Sequence, residues 1–214
     1  MIGIEDQESL LKLISRYLEQ DVICWAFGGN AMMFYGYKKS TKDIDLVFES
    51  EEDREAFIKA IKLLGYEKQS PLRIYPEEKL ADKNRPLMFS KGNERFDLFV
   101  KKIFRTELSE DMKKRFYARH DFAEKKSLIV YVLSKEDIIL LKSITEREKD
   151  FDDILTICTT EKAISWNIII SEAISQHKKG DKWVLYDMEE TMSKLKKYIF
   201  LKKEYFERIY EHVN

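Results

Sequence analysis

The chain has 214 residues, of which 44% are hydrophobic and 13% aromatic; it is long enough for one domain with an appendage and too apolar to be disordered despite 36% charged residues. Seven Gly and three Pro exclude collagen-like and low-complexity character, and two cysteines, Cys24 and Cys158, cannot build a disulfide framework or a cysteine-rich zinc site, which points to a reducing, cytoplasmic location. A net charge of −1, an acidic start at Glu5-Asp6 and the lack of a membrane-length apolar window predict a soluble protein with no membrane partner and no overall mark of nucleic-acid binding.

Leu10, Leu11, Leu13, Ile14 and Leu18 recur at helical spacing and predict an amphipathic helix over residues 7–19. Val22–Phe27 reads as a buried strand stopped by Gly28-Gly29, and residues 30–37, with Ala31-Met32-Met33, as a helix. Asp43–Phe48 alternates polar and apolar residues before turning wholly apolar, the pattern of a strand entering a core, and residues 51–64 return to helical period until Gly65 closes them. Residues 66–100 read as short strands interrupted at Pro71, Pro76, Pro86 and Gly92, with 95–100 the clearest. Between 101 and 126 nine basic residues face five acidic ones, a local charge of +4 that is either a solvated surface or a mild attraction for a polyanion. Residues 128–133 form another buried strand, Ser134 caps a helix through Asp137, and three helical stretches follow at 135–158, which is either one helix or two bent near Arg147, 162–178 and 188–211. The expected fold is α+β: a mixed sheet with flanking helices over residues 1–133, then an all-helical C-terminal region over 134–214.

The chemistry concentrates at two places on this frame. Gly28-Gly29 ends a strand, where the absence of Cβ atoms lets backbone approach an anion at the start of the next helix. Asp43 and Asp45 stand at i and i+2 of a strand and project to one side, with Ile44 and Leu46 on the other. Two carboxylates held about 7 Å apart or less repel unless solvent or a cation separates them. Asp97 lies on the 95–100 strand; if that strand pairs beside the first, three hard oxygen donors converge, a set suited to Mg²⁺ or Mn²⁺ and to phosphoryl transfer.

Phe27-Gly28-Gly29 followed by Ser40-Thr41-Lys42-Asp43-Ile44-Asp45-Leu46 resembles the signature of the polymerase-beta-type nucleotidyltransferase superfamily, most closely its minimal and toxin-type, abortive-infection-like members. Leu133 to Lys142 and Arg147 to Ile154 echo the later helical motifs of those proteins, and the resemblance spans about Trp25 to Leu155. It implies a transferase that moves a nucleoside monophosphate from an NTP to an acceptor, a tRNA 3′ end, a protein or a small-molecule hydroxyl, and releases pyrophosphate, with an antitoxin as a further partner. It implies Asp43, Asp45 and Asp97 as catalytic metal ligands, and Gly28, Gly29, Thr41, Lys42 and Lys142 as nucleotide contacts. Asp150 and Asp153 fall at the acidic end of the helical motif. Asn30, where relatives often carry a small hydroxyl residue, and Lys42, where Arg is commoner, depart from the pattern. The same fold without catalysis, as a nucleotide-binding or toxin–antitoxin interaction module, is the competing reading.

Each of these residues also has a plainer role open to it. An Asp-Ile-Asp strand can be an exposed edge, Lys142 can pair with Glu146, and the acids at 150–153 can be a solvated helix start. His120, His177 and His212 lack ligand spacing and read as surface residues, the cysteines as small core residues, and Trp25, Phe27, Phe34 and Tyr35 as packing rather than a base-stacking platform.

Overall fold

A computed structural model describes residues 1–70, 84–145 and 147–213. The strands expected around Pro71 and Pro76, and Glu146, lie outside them. The chain divides into two compact units, Met1–Leu133 and Ser134–Asn214.

In the first unit β1 (Ile2–Gly3) leads into α1 (Ile4–Ser15), β2 (Val22–Phe27) into α2 (Gly28–Phe34), and β3 (Ser40–Thr41) and β4 (Asp43–Phe48) into α3 (Glu51–Leu63). β5 (Glu67–Lys68), β6 (Leu87–Lys91) and β7 (Glu94–Val100) follow, then the short β8 (Lys102–Ile103), β9 (Thr106–Glu107) and α4 (Glu110–Lys114), and last the hairpin of β10 (Ala118–Ala123) and β11 (Ser127–Val132). Among the described residues the larger sheet runs β10-β11-β2-β4-β7-β6-β5, with β8 on β7 and β9 on β8. It is mixed: β11 is parallel to β2 and β4 to β7, and the other pairings are antiparallel.

Strand alternation gives the sheet two unlike faces. Val22, Cys24 and Ala26 of β2, Ile44 and Leu46 of β4, and Phe96 and Leu98 of β7 are buried on one face, where α1 and α3 pack. Phe96 sits edge-on to Phe57 of α3 at 5.4 Å and to Tyr66 at 5.0 Å between ring centroids. α3 starts where the Ser50 hydroxyl accepts the Asp53 N–H at 3.0 Å and stops at Gly65, whose φ of +87° other residues resist.

Several boundaries differ from expectation. α1 occupies 4–15 rather than 7–19, and α2 begins on Gly28 itself and ends at Phe34. The edge strand β10 and the short α4 sit inside the stretch read only as charge; along β10 exposed Arg119 and Asp121 alternate with half-buried His120 and Phe122.

The second unit is helical: α5 (Lys135–Ser143), α6 (Glu148–Thr160), α7 (Trp166–Lys178), α8 (Val184–Leu195) and α9 (Lys203–Val213). α5 packs on α6, α7 and α8, and α9 on α7 and α8. The 135–158 stretch is thus two helices, and 188–211 is split at 196–202. Ser134 caps α5, accepting the Asp137 N–H at 3.2 Å, and Asp181 Oδ1 starts α8 by accepting from the Trp183 and Val184 N–H groups at 3.2 Å each. Among the described residues no helix is long and apolar enough to cross a membrane.

Phe96→Ala removes the ring at the centre of the aromatic cluster and is expected to cost about 3–5 kcal/mol. Urea unfolding of the variant measures it, and a loss below about 1 kcal/mol would show that the cluster does not anchor the sheet.

Candidate active site

The parallel pairing of β4 with β7 sets Asp45 directly opposite Asp97 and Asp43 opposite Arg95. The antiparallel pairing of β2 with β4 sets Phe27 opposite Asp45, so the glycine turn arrives beside the same carboxylates. Asp43, Asp45 and Asp97 therefore share the face of the sheet opposite α1 and α3, as their register requires. Asp97 is buried and the other two are half-buried.

Arg95 stands between them. Its Nε donates to Asp97 Oδ1 at 2.7 Å, its Nη2 to Asp97 Oδ2 at 3.0 Å, and the same Nη2 lies 3.1 Å from Asp43 Oδ2. This is a two-pronged guanidinium–carboxylate pair with a third contact to a neighbouring strand. Burial works against the guanidinium charge, but Asp97 and then Asp43 and Asp45 outweigh it and hold Arg95 charged. Arg95 was not among the residues singled out from sequence, although its place two residues before Asp97 on one strand puts both on the same face.

The two glycines serve these side chains. Gly28 has φ +65°, and a Cβ there would stand 2.3 Å from Asp45 Oδ2; a Cβ on Gly29 would stand 2.8 Å from Thr41 Oγ1. At each position a Cβ would force aside a side chain of the site that already fills the space, and at Gly28 the positive φ adds backbone strain. The Thr41 hydroxyl bonds to Asp43, donating to its carbonyl at 3.2 Å and lying 3.4 Å from its N–H. Asn30 is buried, and its Oδ1 accepts the Asp45 N–H at 3.0 Å, so this departure from the family pattern anchors the strand that carries the carboxylates. Lys42 is exposed beside Asp43. Lys38 Nζ lies 3.9 Å from the position a Gly29 Cβ would take, which adds a cation at the turn that sequence reading missed.

Among the described residues no three His, Cys, Asp or Glu side chains are grouped as a ready metal site. Arg95 engages oxygens of Asp43 and Asp97 instead. The donor chemistry nonetheless fits a divalent cation, since all the donors are hard carboxylate oxygens.

Lys142 lies in the second unit, on α5, and is buried. Its Nζ donates to Asp150 Oδ1 and to Asp153 Oδ2, each at 2.7 Å. Asp150 is itself buried and also accepts from the Thr145 hydroxyl at 2.5 Å and from Arg147 Nε at 2.6 Å. Burial pushes Asp150 toward its neutral form, but Lys142 and the Thr145 hydroxyl outweigh it and its carboxyl titrates below the usual range. The solvated helix start is thus corrected for Asp150 and Asp153, which are counter-ions of a buried lysine.

The aromatics pack on one another: Trp25 on Tyr131 at 5.5 Å, Phe27 on Phe99 at 5.4 Å, and Tyr35 between Tyr37 and Tyr117 at 4.9 and 3.8 Å. His120 is half-buried rather than on the surface, lies 4.4 Å from Phe34, and is shifted toward its neutral form by burial. Both cysteines are buried, and burial alone pushes the Cys158 thiol up to about 12.

The family model described as "Nucleotidyltransferase of unknown function (DUF6036)" matches residues 5–209, and the chain belongs to this family: it is a nucleotidyltransferase. No curated protein matches it. Solved structures that resemble it include two of one protein. The crystal structure of ANT(2")-Ia in complex with adenylyl-2"-tobramycin is 16% identical with a TM-score of 0.48, over 81% of this chain and 98% of that one. The solution structure of antibiotic-resistance factor ANT(2'')-Ia is 18% identical with a TM-score of 0.42, over 72% and 80%.

Three variants test the electrostatics. Arg95→Gln is expected to lower apo stability at neutral pH by about 1–3 kcal/mol, and millimolar Mg²⁺ to raise the variant's Tm more than the wild type's. Differential scanning calorimetry with and without the metal reads both, and an unchanged apo Tm would remove Arg95 from its role. Lys142→Ala is expected to cost about 3–5 kcal/mol by leaving Asp150 buried without its main cation. Because the folded-state pKa of Asp150 is depressed, its contribution is fully present above the ordinary carboxylate range and is lost as pH falls from that range through the depressed folded value; Asp150→Asn should flatten that acid limb.

Proposed function

We propose that the protein transfers a nucleoside monophosphate from an NTP to an acceptor hydroxyl, with release of pyrophosphate, at the face where Asp43, Asp45 and Asp97 meet. The observation that carries this reading is the register that sets Asp45 opposite Asp97 beside a glycine turn already shaped around Asp45. Asp43 and Asp45 would hold Mg²⁺ or Mn²⁺ with Asp97. The metal supplies charge neutralisation for the triphosphate and for the charge that develops in phosphoryl transfer.

The chain's own groups then divide the work. Arg95 fixes the orientation of the Asp97 carboxylate by its two-pronged contact, and Asp97 would accept the proton of the attacking hydroxyl. Asn30 and Thr41 hold the start of β4, and with it the spacing of Asp43 and Asp45. Gly28 and Gly29 keep the turn clear, and Lys38 and exposed Lys42 offer cations to the phosphates. The acceptor alternatives that the resemblance offers are a tRNA 3′ end, a protein or a small-molecule hydroxyl. The toxin-type relationship and an antitoxin partner rest on the sequence resemblance.

Titration calorimetry with each of the four NTPs is expected to show binding that requires Mg²⁺ or Mn²⁺ and is lost in Asp43→Asn/Asp45→Asn. Full metal-dependent binding by that double variant would overturn the assignment. Asp97→Asn is expected to cut turnover by about a hundredfold or more with NTP affinity little changed. Loss of NTP binding without a separate effect on turnover would make Asp97 a ligand only.

A further inference from the structure

Four aromatic side chains of the second unit lie open at the two ends of α8. Trp183, the residue just before the helix, is 62% exposed and Tyr186 in its first turn 48%; beyond its C-terminus Tyr198 is 59% and Phe200 88% exposed. Each pair has lysines beside it. Lys178, Lys179 and Lys182 precede the first and are exposed, and residues 194–203 around the second contain five lysines and no acid.

From 178 to 203 there are eight lysines against four acids, and two of those acids, Asp181 and Asp187, are buried. Lys196 lies over the Phe206 ring at 3.6 Å, and three of the lysines form ion pairs at the solvent-exposed surface: Lys194 with Glu190 at 2.7 Å, Lys202 with Glu204 at 3.1 Å and Lys203 with Glu207 at 2.9 Å. Such pairs hold weakly and exchange readily for another anion. Lys197 has no acidic partner among the described residues. The positive ridge is thus local in a chain whose net charge is −1.

The arrangement also discriminates among occupants. A membrane or a tightly packed protein partner needs one continuous apolar face. Here the two aromatic pairs are separated by the 12-residue helix, about 18 Å, with Glu189 and Glu190 between them. Separate, open rings flanked by flexible cations suit stacked bases with phosphates alongside. We propose that this lysine-and-aromatic ridge along α8 binds a single-stranded nucleic acid. The binding stands on this surface alone; that the bound strand is also the acceptor rests on the transfer reading above.

The test uses the full chain and fluorescein-labelled twelve-nucleotide RNA and DNA strands of mixed sequence, read by anisotropy and by tryptophan emission. Trp25 and Trp166 are buried, so Trp183 is the tryptophan that stacking bases would quench. The expected result is single-strand binding with quenching and a steep salt dependence. Trp183→Ala and Phe200→Ala should each weaken it about tenfold. Lys182→Ser/Lys197→Ser should flatten the salt slope by about one unit per lost phosphate contact. All these residues are exposed, and circular dichroism verifies that the variants fold. No binding by the wild type at low salt, binding indifferent to these substitutions, or equal binding of duplex or of anionic phosphatidylserine vesicles would overturn the proposal. Asp43→Asn should bind the strand as the wild type does, so loss of the nucleotide site and loss of the ridge are read separately.

Discussion

Three aspartates on neighbouring strands repel one another, and the Arg95 guanidinium lets them share one face of the sheet. It reaches Asp97 through two nitrogens and Asp43 through one, across the parallel β4–β7 pairing. A guanidinium suits this place better than an ammonium, because its fixed fork matches one carboxylate while leaving a donor for another. The face is consequently cohesive, and its hard carboxylate oxygens are of the kind that suits a divalent cation.

The same physics recurs, inverted, in the helical unit. There the central charge is a buried lysine, and Asp150 and Asp153 of the next helix meet it. Thr145 and Arg147 complete the coordination of Asp150, so its oxygens stay bonded out of water. Buried charges of this kind tie α5 to α6 in one register, and the break between the helices falls where those partners must fold back.

Much of this was legible in the sequence because its signals were periodic. Val22–Phe27 and Asp43–Phe48 form the strands that their patterns predict, and alternation alone separates Asp43 and Asp45 from Ile44 and Leu46. Convergence of Asp97 was conditional, because strand order is set by packing between distant segments rather than by any local pattern. Arg95 went unnoticed since it reads as an ordinary charge until the register places Asp43 opposite it. The glycine pair was legible as a constraint, but its cause was not: the atoms that forbid a Cβ belong to Asp45 and Thr41, far along the chain. β10 was hidden because an edge strand with one exposed face alternates charged residues with His and Phe, a pattern close to that of a solvated surface.

The nucleotidyl-transfer reading joins these observations in one claim, that the carboxylate face is where the α-phosphate changes hands. The most direct measurement supplies each NTP labelled at the α-phosphate, with Mg²⁺, to pools of RNA, protein and small hydroxyl compounds, and follows label and pyrophosphate together. The account predicts that the wild type incorporates the α-label into one pool with equimolar pyrophosphate release, and that Asp45→Asn does neither. Transfer by Asp45→Asn at the wild-type rate, or release of inorganic phosphate in place of pyrophosphate, would contradict it.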